Sequence, residues 1–206
     1  MKTILARIIS GSMLVGALGY SFFFLPPALF SLLLLLILGT ILVVEWPRVG
    51  STRLTPWYPI FPFLLLILAN QTNTQRSLVL VIFVLAMSFD TGAYIIGSLF
   101  GRHKLAPSIS PKKTWEGVIG GCLFSLCSLT LPPLATMQLT SQLQALSIVL
   151  IGDAAALFGD LFISLLKRKS GIKDCGTSIP GHGGFLDRFD SILFVAPALL
   201  AIFAIL

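Results

Sequence analysis

Charge is what this sequence has least of. Only 11% of its 206 residues are Asp, Glu, Lys or Arg, against about 25% in an ordinary soluble domain. Mean hydropathy is +0.97. These values exclude a soluble globular domain and point to an integral membrane protein. Cysteine is nearly as scarce. Cys122, Cys127 and Cys175 are the three present, with no two at C-x-x-C spacing, so neither a disulfide framework nor a zinc site is signalled. Cys122 and Cys127 lie in an apolar run and read as small core or lipid-facing residues. There is no internal repeat, and no low-complexity segment beyond the Leu-rich stretch 32–38. The chain reads as one integral membrane domain over residues 1–206, with N-terminal spans in 1–76 and the motif-bearing portion in 77–206.

What is abundant is oil. A helix needs about 20 apolar residues to cross the hydrocarbon. Seven segments qualify as candidates: roughly 4–24, 28–45, 57–69, 77–100, 115–135, 143–165 and 190–206. The third is short and begins among Pro56, Pro59 and Pro62. The N-terminal run has Lys2 and Arg7 but no convincing small-residue cleavage site, so it reads as a retained span rather than a signal peptide. The expected fold class is all-α, a polytopic helical protein of about seven spans with its N-terminus in the cytoplasm. That arrangement puts thirteen basic residues on the cytoplasmic side and Arg76 alone opposite, a strong positive-inside bias. The expected location is a bacterial inner membrane.

Topology and attraction to anionic lipid explain most of the +6 net charge. They do not explain the acids. Seven of eight fall between 90 and 190: Asp90, Glu116, Asp153, Asp160, Asp174, Asp187 and Asp190. Asp90, Asp153 and Asp160 interrupt candidate spans. A carboxylate near the bilayer centre costs about 2.5–3.5 kcal/mol on insertion scales. It persists where it meets a wet cavity, a cation or a partner. In the sixth span Asp153, Asp160, Ser164 and Lys167 share a helix sector of roughly 60°. Gly152, Ala154, Ala155, Ala156 and Gly159 also suit a close helix-packing seam. Both readings hold together: the small residues pack the helix and the carboxylates line a pocket. Asp90 is either a hydrogen-bonding partner between helices or part of that pocket.

Two loops complete the pattern. Residues 101–116, GRHKLAPSISPKKTWE, carry Arg102, His103, Lys104, Lys112 and Lys113 with Ser108, Ser110 and Thr114. Pro111 suits a helix start, which would put Lys112, Lys113 and Thr114 at a phosphate-favouring N-terminus. His103 by itself reads as a surface histidine. In the second loop, Gly181-His182-Gly183-Gly184 permits close backbone approach. Asp187 and Asp190 follow at i, i+3, on one face of the start of a helix. Carboxylates there suit a hard divalent cation. Mg²⁺ takes one or two carboxylates plus phosphate oxygens and water, so the combination suggests metal-assisted phosphoryl or nucleotidyl transfer.

These residues resemble the CTP-dependent phosphatidate cytidylyltransferase (CDP-diacylglycerol synthase) family. The long signature stands here as Ser164-x-x-Lys167-Arg168-x-x-x-x-Lys173-Asp174, then Pro180-x-His182-Gly183-Gly184-x-x-Asp187-Arg188-x-Asp190. Upstream blocks are Asp90-Thr91-x-Ala93-Tyr94, Ser110-Pro111-Lys112-Lys113-Thr114-x-Glu116-Gly117 and Gly159-Asp160. The resemblance covers about residues 85–195. The N-terminal portion is shorter than the family usually carries.

The resemblance implies conversion of CTP and phosphatidate to CDP-diacylglycerol and pyrophosphate, with Mg²⁺ as cofactor. It implies Asp160, Lys167, Asp187 and Asp190 as catalytic residues, with Asp160 and Asp187 as metal ligands. Substrate would meet Asp90, Ser110, Lys112, Lys113, Glu116, Ser164, Arg168, Lys173, Asp174, His182, Gly183, Gly184 and Arg188. Partners would be CTP, phosphatidate and membrane lipid, with no nucleic acid and a homodimer as one oligomeric option. Two alternative functions are a CTP-dependent lipid kinase and an ion-coupled transporter. The transporter would more naturally show inverted repeats and interrupted helices in matched halves, which this sequence lacks. A non-catalytic scaffold leaves Asp160 and Asp187 unexplained.

Overall fold

The computed structural model describes residues 2–49, 57–130, 142–181 and 183–205. The chain is mostly helical. In order come α1 (Lys2–Phe24), α2 (Pro27–Thr40), a π-helical turn (Ile41–Glu45), α3 (Trp46–Val49), α4 (Ile60–Ala69) and α5 (Asn73–Phe100). A hairpin of β1 (Lys104–Ala106) and β2 (Ser110–Thr114) follows. Then come α6 (Trp115–Ser128), α7 (Gln142–Lys169), α8 (Leu186–Phe189) and α9 (Ile192–Ile205).

Each of the seven predicted segments contains an apolar helix. Three helical stretches are long and apolar enough to cross a membrane: Pro27–Val49, Gln75–Phe100 and Gln142–Lys169. Ile9–Phe24, Ile60–Ala69, Trp115–Ser128 and Ile192–Ala204 are shorter. The end of the predicted 115–135 segment lies outside the described residues. Large side chains such as Met13, Phe24, Val43, Leu99 and Phe158 are exposed, as an apolar solvent permits.

The chain divides into two compact units: Met1–Gln71 with Leu166–Phe189, and Thr72–Leu165 with Asp190–Leu206. In the first, Phe30, Leu34, Ile41, Phe63, Leu66, Leu186 and Phe189 are fully buried. The Phe63 and Phe189 rings stack at 5.4 Å. Pro27 suits the first turn of α2, where its missing N–H costs nothing. Asn70 closes α4 onto α2, donating to the Pro27 carbonyl at 2.7 Å and to Ser31 Oγ at 3.0 Å.

In the second unit α5 and α6 pack at very short range. A Cβ at Gly92 would lie 2.6 Å from the Gly120 carbonyl oxygen, and one at Gly121 would lie 2.6 Å from Phe89 Cδ2. Glycines thus let the two backbones approach. The small-residue seam expected on α7 is present in part: Gly159 abuts the Asp190 backbone, and Gly152 meets Leu85 and Leu199. The Phe162 and Phe194 rings add a contact at 5.4 Å.

Three expectations are corrected. The fold is not wholly α. Lys112 and Lys113 lie in the second strand of the hairpin rather than at a helix N-terminus. Pro111 has a fixed φ compatible with an exposed short strand, and the helix begins at Trp115 with Thr114 as N-cap. Thr114 Oγ1 accepts from Gly117 N at 3.1 Å. Finally, Asp187 and Asp190 do not share one helix. Asp187 lies in the one-turn α8, Asp190 and Ser191 form a turn, and the next helix begins at Ile192.

The end of α7 positions the signature loop. Gly171 has φ +67°. Gly171 N donates to Arg168 O at 3.2 Å, and Ile172 N to Lys167 O at 3.0 Å. This is the paired bonding of a Schellman C-cap. Open space surrounds the Gly171 Cα, so Gly171→Ala tests conformation alone. It should destabilise by about 1 kcal/mol, the cost of placing a Cβ in the left-handed region. A lowered thermal unfolding midpoint in detergent, with unaltered helix content, checks this.

Candidate active site

The signature loop leaves α7 at Gly171 and re-enters helix at Leu186. It is tied by a bridge in which Ile179 N donates to Gly183 O at 2.9 Å. Gly183 stands at φ +90°, a conformation that favours glycine. This turn aims two backbone donors inward. Asp187 Oδ2 accepts from Gly184 N at 3.0 Å and from Cys175 N at 2.8 Å. Asp187 Oδ1 accepts from Lys167 Nζ at 2.7 Å. Both side chains are largely buried, at 12% exposure for Lys167 and 6% for Asp187.

Burial alone would raise the Asp187 carboxyl. The Lys167 ammonium and the Gly184 and Cys175 N–H groups outweigh it and hold the carboxyl below its usual range. Cys175 sits beside it, fully buried. Burial, and then the Asp187 charge, push that thiol up, so a thiolate nucleophile is not available there. Arg168, Lys173, Asp174 and Arg188 are exposed on the same loop and helix ends. Arg168 bonds the Ile172 carbonyl at 3.5 Å. His182 lies outside the described residues.

The second unit holds a separate cluster. Asp160 Oδ2 is paired with Lys113 Nζ, and Ser164 Oγ donates to Asp160 Oδ1 at 3.3 Å. The hairpin thus delivers Lys113 to a carboxylate on α7, while Lys112 is exposed. Ser110 is partly exposed at the start of the same strand. Glu116 folds the hairpin back onto α6. Its Oε2 accepts from Arg102 N at 3.1 Å, and its Oε1 lies 2.6 Å from His103 Nδ1. His103 is 79% exposed on its side chain, a surface histidine with a partner. Asp90 and Asp190 meet through Ser191. Its hydroxyl donates to Asp90 Oδ2 at 3.1 Å, and its N–H donates to Asp190 Oδ1 at 2.9 Å. Asp153 is buried on α7, away from these bonds.

The predicted residues therefore gather as three groups: Lys167 with Asp187 and the Gly183-Gly184 turn, Lys113 with Asp160 and Ser164, and Asp90 with Asp190. Sequence reasoning missed Ser191 and Glu45. For Glu45 a signal existed. It is the eighth acid, and it closes an otherwise apolar span. The insertion cost that singled out Asp160 applies to it equally. Among the described residues no group of three or more His, Cys, Asp or Glu side chains is arranged to hold a metal.

A model of the cytidylyltransferase family matches residues 2–206. The chain belongs to this family. It is 36% identical to the phosphatidate cytidylyltransferase of Rickettsia felis over 213 residues, 98% of this chain and 92% of that protein. It is 45% identical to the phosphatidate cytidylyltransferase of Staphylococcus epidermidis over 124 residues, 59% of this chain and 46% of that protein. An uncharacterised Escherichia coli protein, YnbB, is 43% identical over 135 residues, 64% of this chain and 45% of its own length. A chain of about this length thus occurs among the relatives, alongside longer ones.

The Lys167–Asp187 pair yields a pH test. Removing one member of a buried ion pair strands the other, which costs about 3 kcal/mol. Lys167→Met should lose about that much near neutral pH. The Asp187 carboxyl is lowered from 3.8 in the folded protein, so its charged-state stabilisation is complete above that ordinary value and fades as pH falls through the lowered one. The gap in unfolding midpoint between the two proteins should therefore narrow on acidification, as Asp187 takes up its proton first in the variant, which lacks the Lys167 ammonium, and then in the parent.

Proposed function

We propose that this protein is a phosphatidate cytidylyltransferase, forming CDP-diacylglycerol and pyrophosphate from CTP and phosphatidate. The observation that carries the reading is the end-to-end similarity to a relative of that name, 98% of this chain against 92% of the Rickettsia felis protein. The buried Lys167–Asp187 pair supplies chemistry suited to it.

The attacking atom is a phosphate oxygen of phosphatidate. It is anionic at neutral pH and needs no protein nucleophile. It forms a bond to the α-phosphorus of CTP as the bond to pyrophosphate breaks, in line. Two anions must approach, so the residues' task is electrostatic. Lys113 and Lys167 each carry an ammonium already held against a carboxylate, ready to meet phosphate oxygens. Lys112, Lys173 and Arg188 are exposed cations that would screen the triphosphate. The Gly183-Gly184 turn offers backbone at close range.

Mg²⁺ fits the donor chemistry present. Asp160 and Asp187 offer hard carboxylate oxygens, each now matched by a lysine cation. Such an ion takes one or two carboxylates and completes its shell with phosphate and water. Asp160 and Asp187 are the carboxylates that would each hold such an ion. When bound, it offsets charge on the triphosphate as pyrophosphate leaves.

The reading extends to topology: seven spans, the N-terminus in the cytoplasm and the reacting groups at the cytoplasmic face of a bacterial inner membrane. The thirteen-to-one distribution of basic residues supports that orientation. CTP is available on that side.

Purified protein incubated with phosphatidate, CTP and Mg²⁺ should release pyrophosphate and form CDP-diacylglycerol. Release of CDP instead would identify a lipid kinase. Asp187→Asn should lower turnover by more than about 10²-fold through lost charge stabilisation. Near-normal turnover by that variant would refute its role.

A further inference from the structure

Glu45 is fully buried, at 0% exposure, in a chain with only eight acids. It lies 121 residues before Leu166, where its compact unit resumes, yet its carboxylate is the anchor of the signature loop. Oε1 accepts from Ser178 Oγ at 2.6 Å and from Phe185 N at 2.8 Å. Oε2 accepts from Leu186 N at 2.8 Å. The fit is tight: a Cβ at Gly184 would lie 2.6 Å from Glu45 Oε2, and one at Gly176 would lie 2.9 Å from Glu45 Cγ. The side chain thus fills the space inside the loop that two glycines leave open.

Local structure delivers it there. Residues Ile41–Glu45 form a π turn, with Trp46 N donating back to Ile41 O. A π turn adds one residue to the helical register, and such insertions recur at functional sites. The two amides that Glu45 holds, Phe185 and Leu186, open α8 (Leu186–Phe189) and follow Gly184, whose own N–H binds Asp187. The chain of contact runs from Glu45, through residues 184–186, to Asp187 and then Lys167.

We infer that Glu45 is a positioning residue for the cytidylyl transfer. It fixes the backbone donors that orient Asp187 and does not itself touch the substrate. This rests on the functional reading above. A glutamine has the same shape but only one acceptor oxygen, so in either orientation its NH₂ would face a backbone N–H, that of Phe185 or of Leu186. The loop would have to move to relieve the conflict between donors.

The test uses full-length protein in detergent, with Cys122→Ser and Cys127→Ser so that the buried Cys175 is the sole thiol. In Glu45→Gln, turnover per monodisperse molecule, read as pyrophosphate release, should fall about 10- to 100-fold, as when a residue supporting a ligand is lost. The KM for CTP should change far less, and maleimide should label Cys175 faster than in the parent. A role confined to stability would lower yield and unfolding midpoint but leave turnover of the folded fraction intact. Turnover within twofold of the parent, or unchanged protection of Cys175, overturns the inference. Ser178→Ala removes one donor and spares the carboxylate. It should cut turnover about fivefold, the equivalent of one hydrogen bond, and supports or overturns the inference by the same readouts if Glu45→Gln does not fold. If the parent itself releases no pyrophosphate, the functional reading fails, while Cys175 labelling still decides whether Glu45 holds the loop.

Discussion

A buried carboxylate in an apolar chain is costly without donors, and Glu45, Asp187 and Asp190 all have them, whereas Asp153 is buried with no hydrogen-bond partner. Asp187 has three: the Lys167 ammonium and the N–H groups of Cys175 and Gly184. Each donor demands something of the sequence. Lys167 must sit in the last turn of a long helix that then stops, so Gly171 caps it. Gly184 must present its N–H from a turn too tight for a side chain. The turn itself must be held, and Glu45 does so from a helix early in the chain. Remove Lys167 and the Asp187 charge is left in an environment that does not solvate it.

The same requirement acts in the second unit with different parts. Asp160 lies on α7 one turn from Ser164 and takes Lys113 from a hairpin. Glu116 uses its carboxylate to tether that hairpin. Asp90 and Asp190 share the hydroxyl and N–H of Ser191. Acids alike in sequence thus differ in the partners they take.

Much of this was legible in the residues. Seven apolar segments, the interrupted spans at Asp90, Asp153 and Asp160, and the charged loop after Lys167 follow from composition and helical spacing alone. The pairing of Lys167 with Asp187 did not, because twenty residues separate them and only the folded turn joins them. The hairpin was missed because Pro111 signals a helix start as readily as a short exposed strand. The break between Asp187 and Asp190 was missed because i, i+3 spacing says nothing about where a helix stops. Glu45 was visible as an acid in oil, but it lay outside the crowded region and carried no motif. Its partners are backbone amides, which no residue pattern encodes.

The central proposal is that Asp187, held by Lys167, serves the nucleotide and its cation. Electron paramagnetic resonance of Mn²⁺ with CTP, used in place of Mg²⁺, tests it most directly on the purified protein. The account predicts that Asp187→Asn weakens CTP-dependent Mn²⁺ binding by about tenfold or more. Unchanged binding in that variant would contradict it.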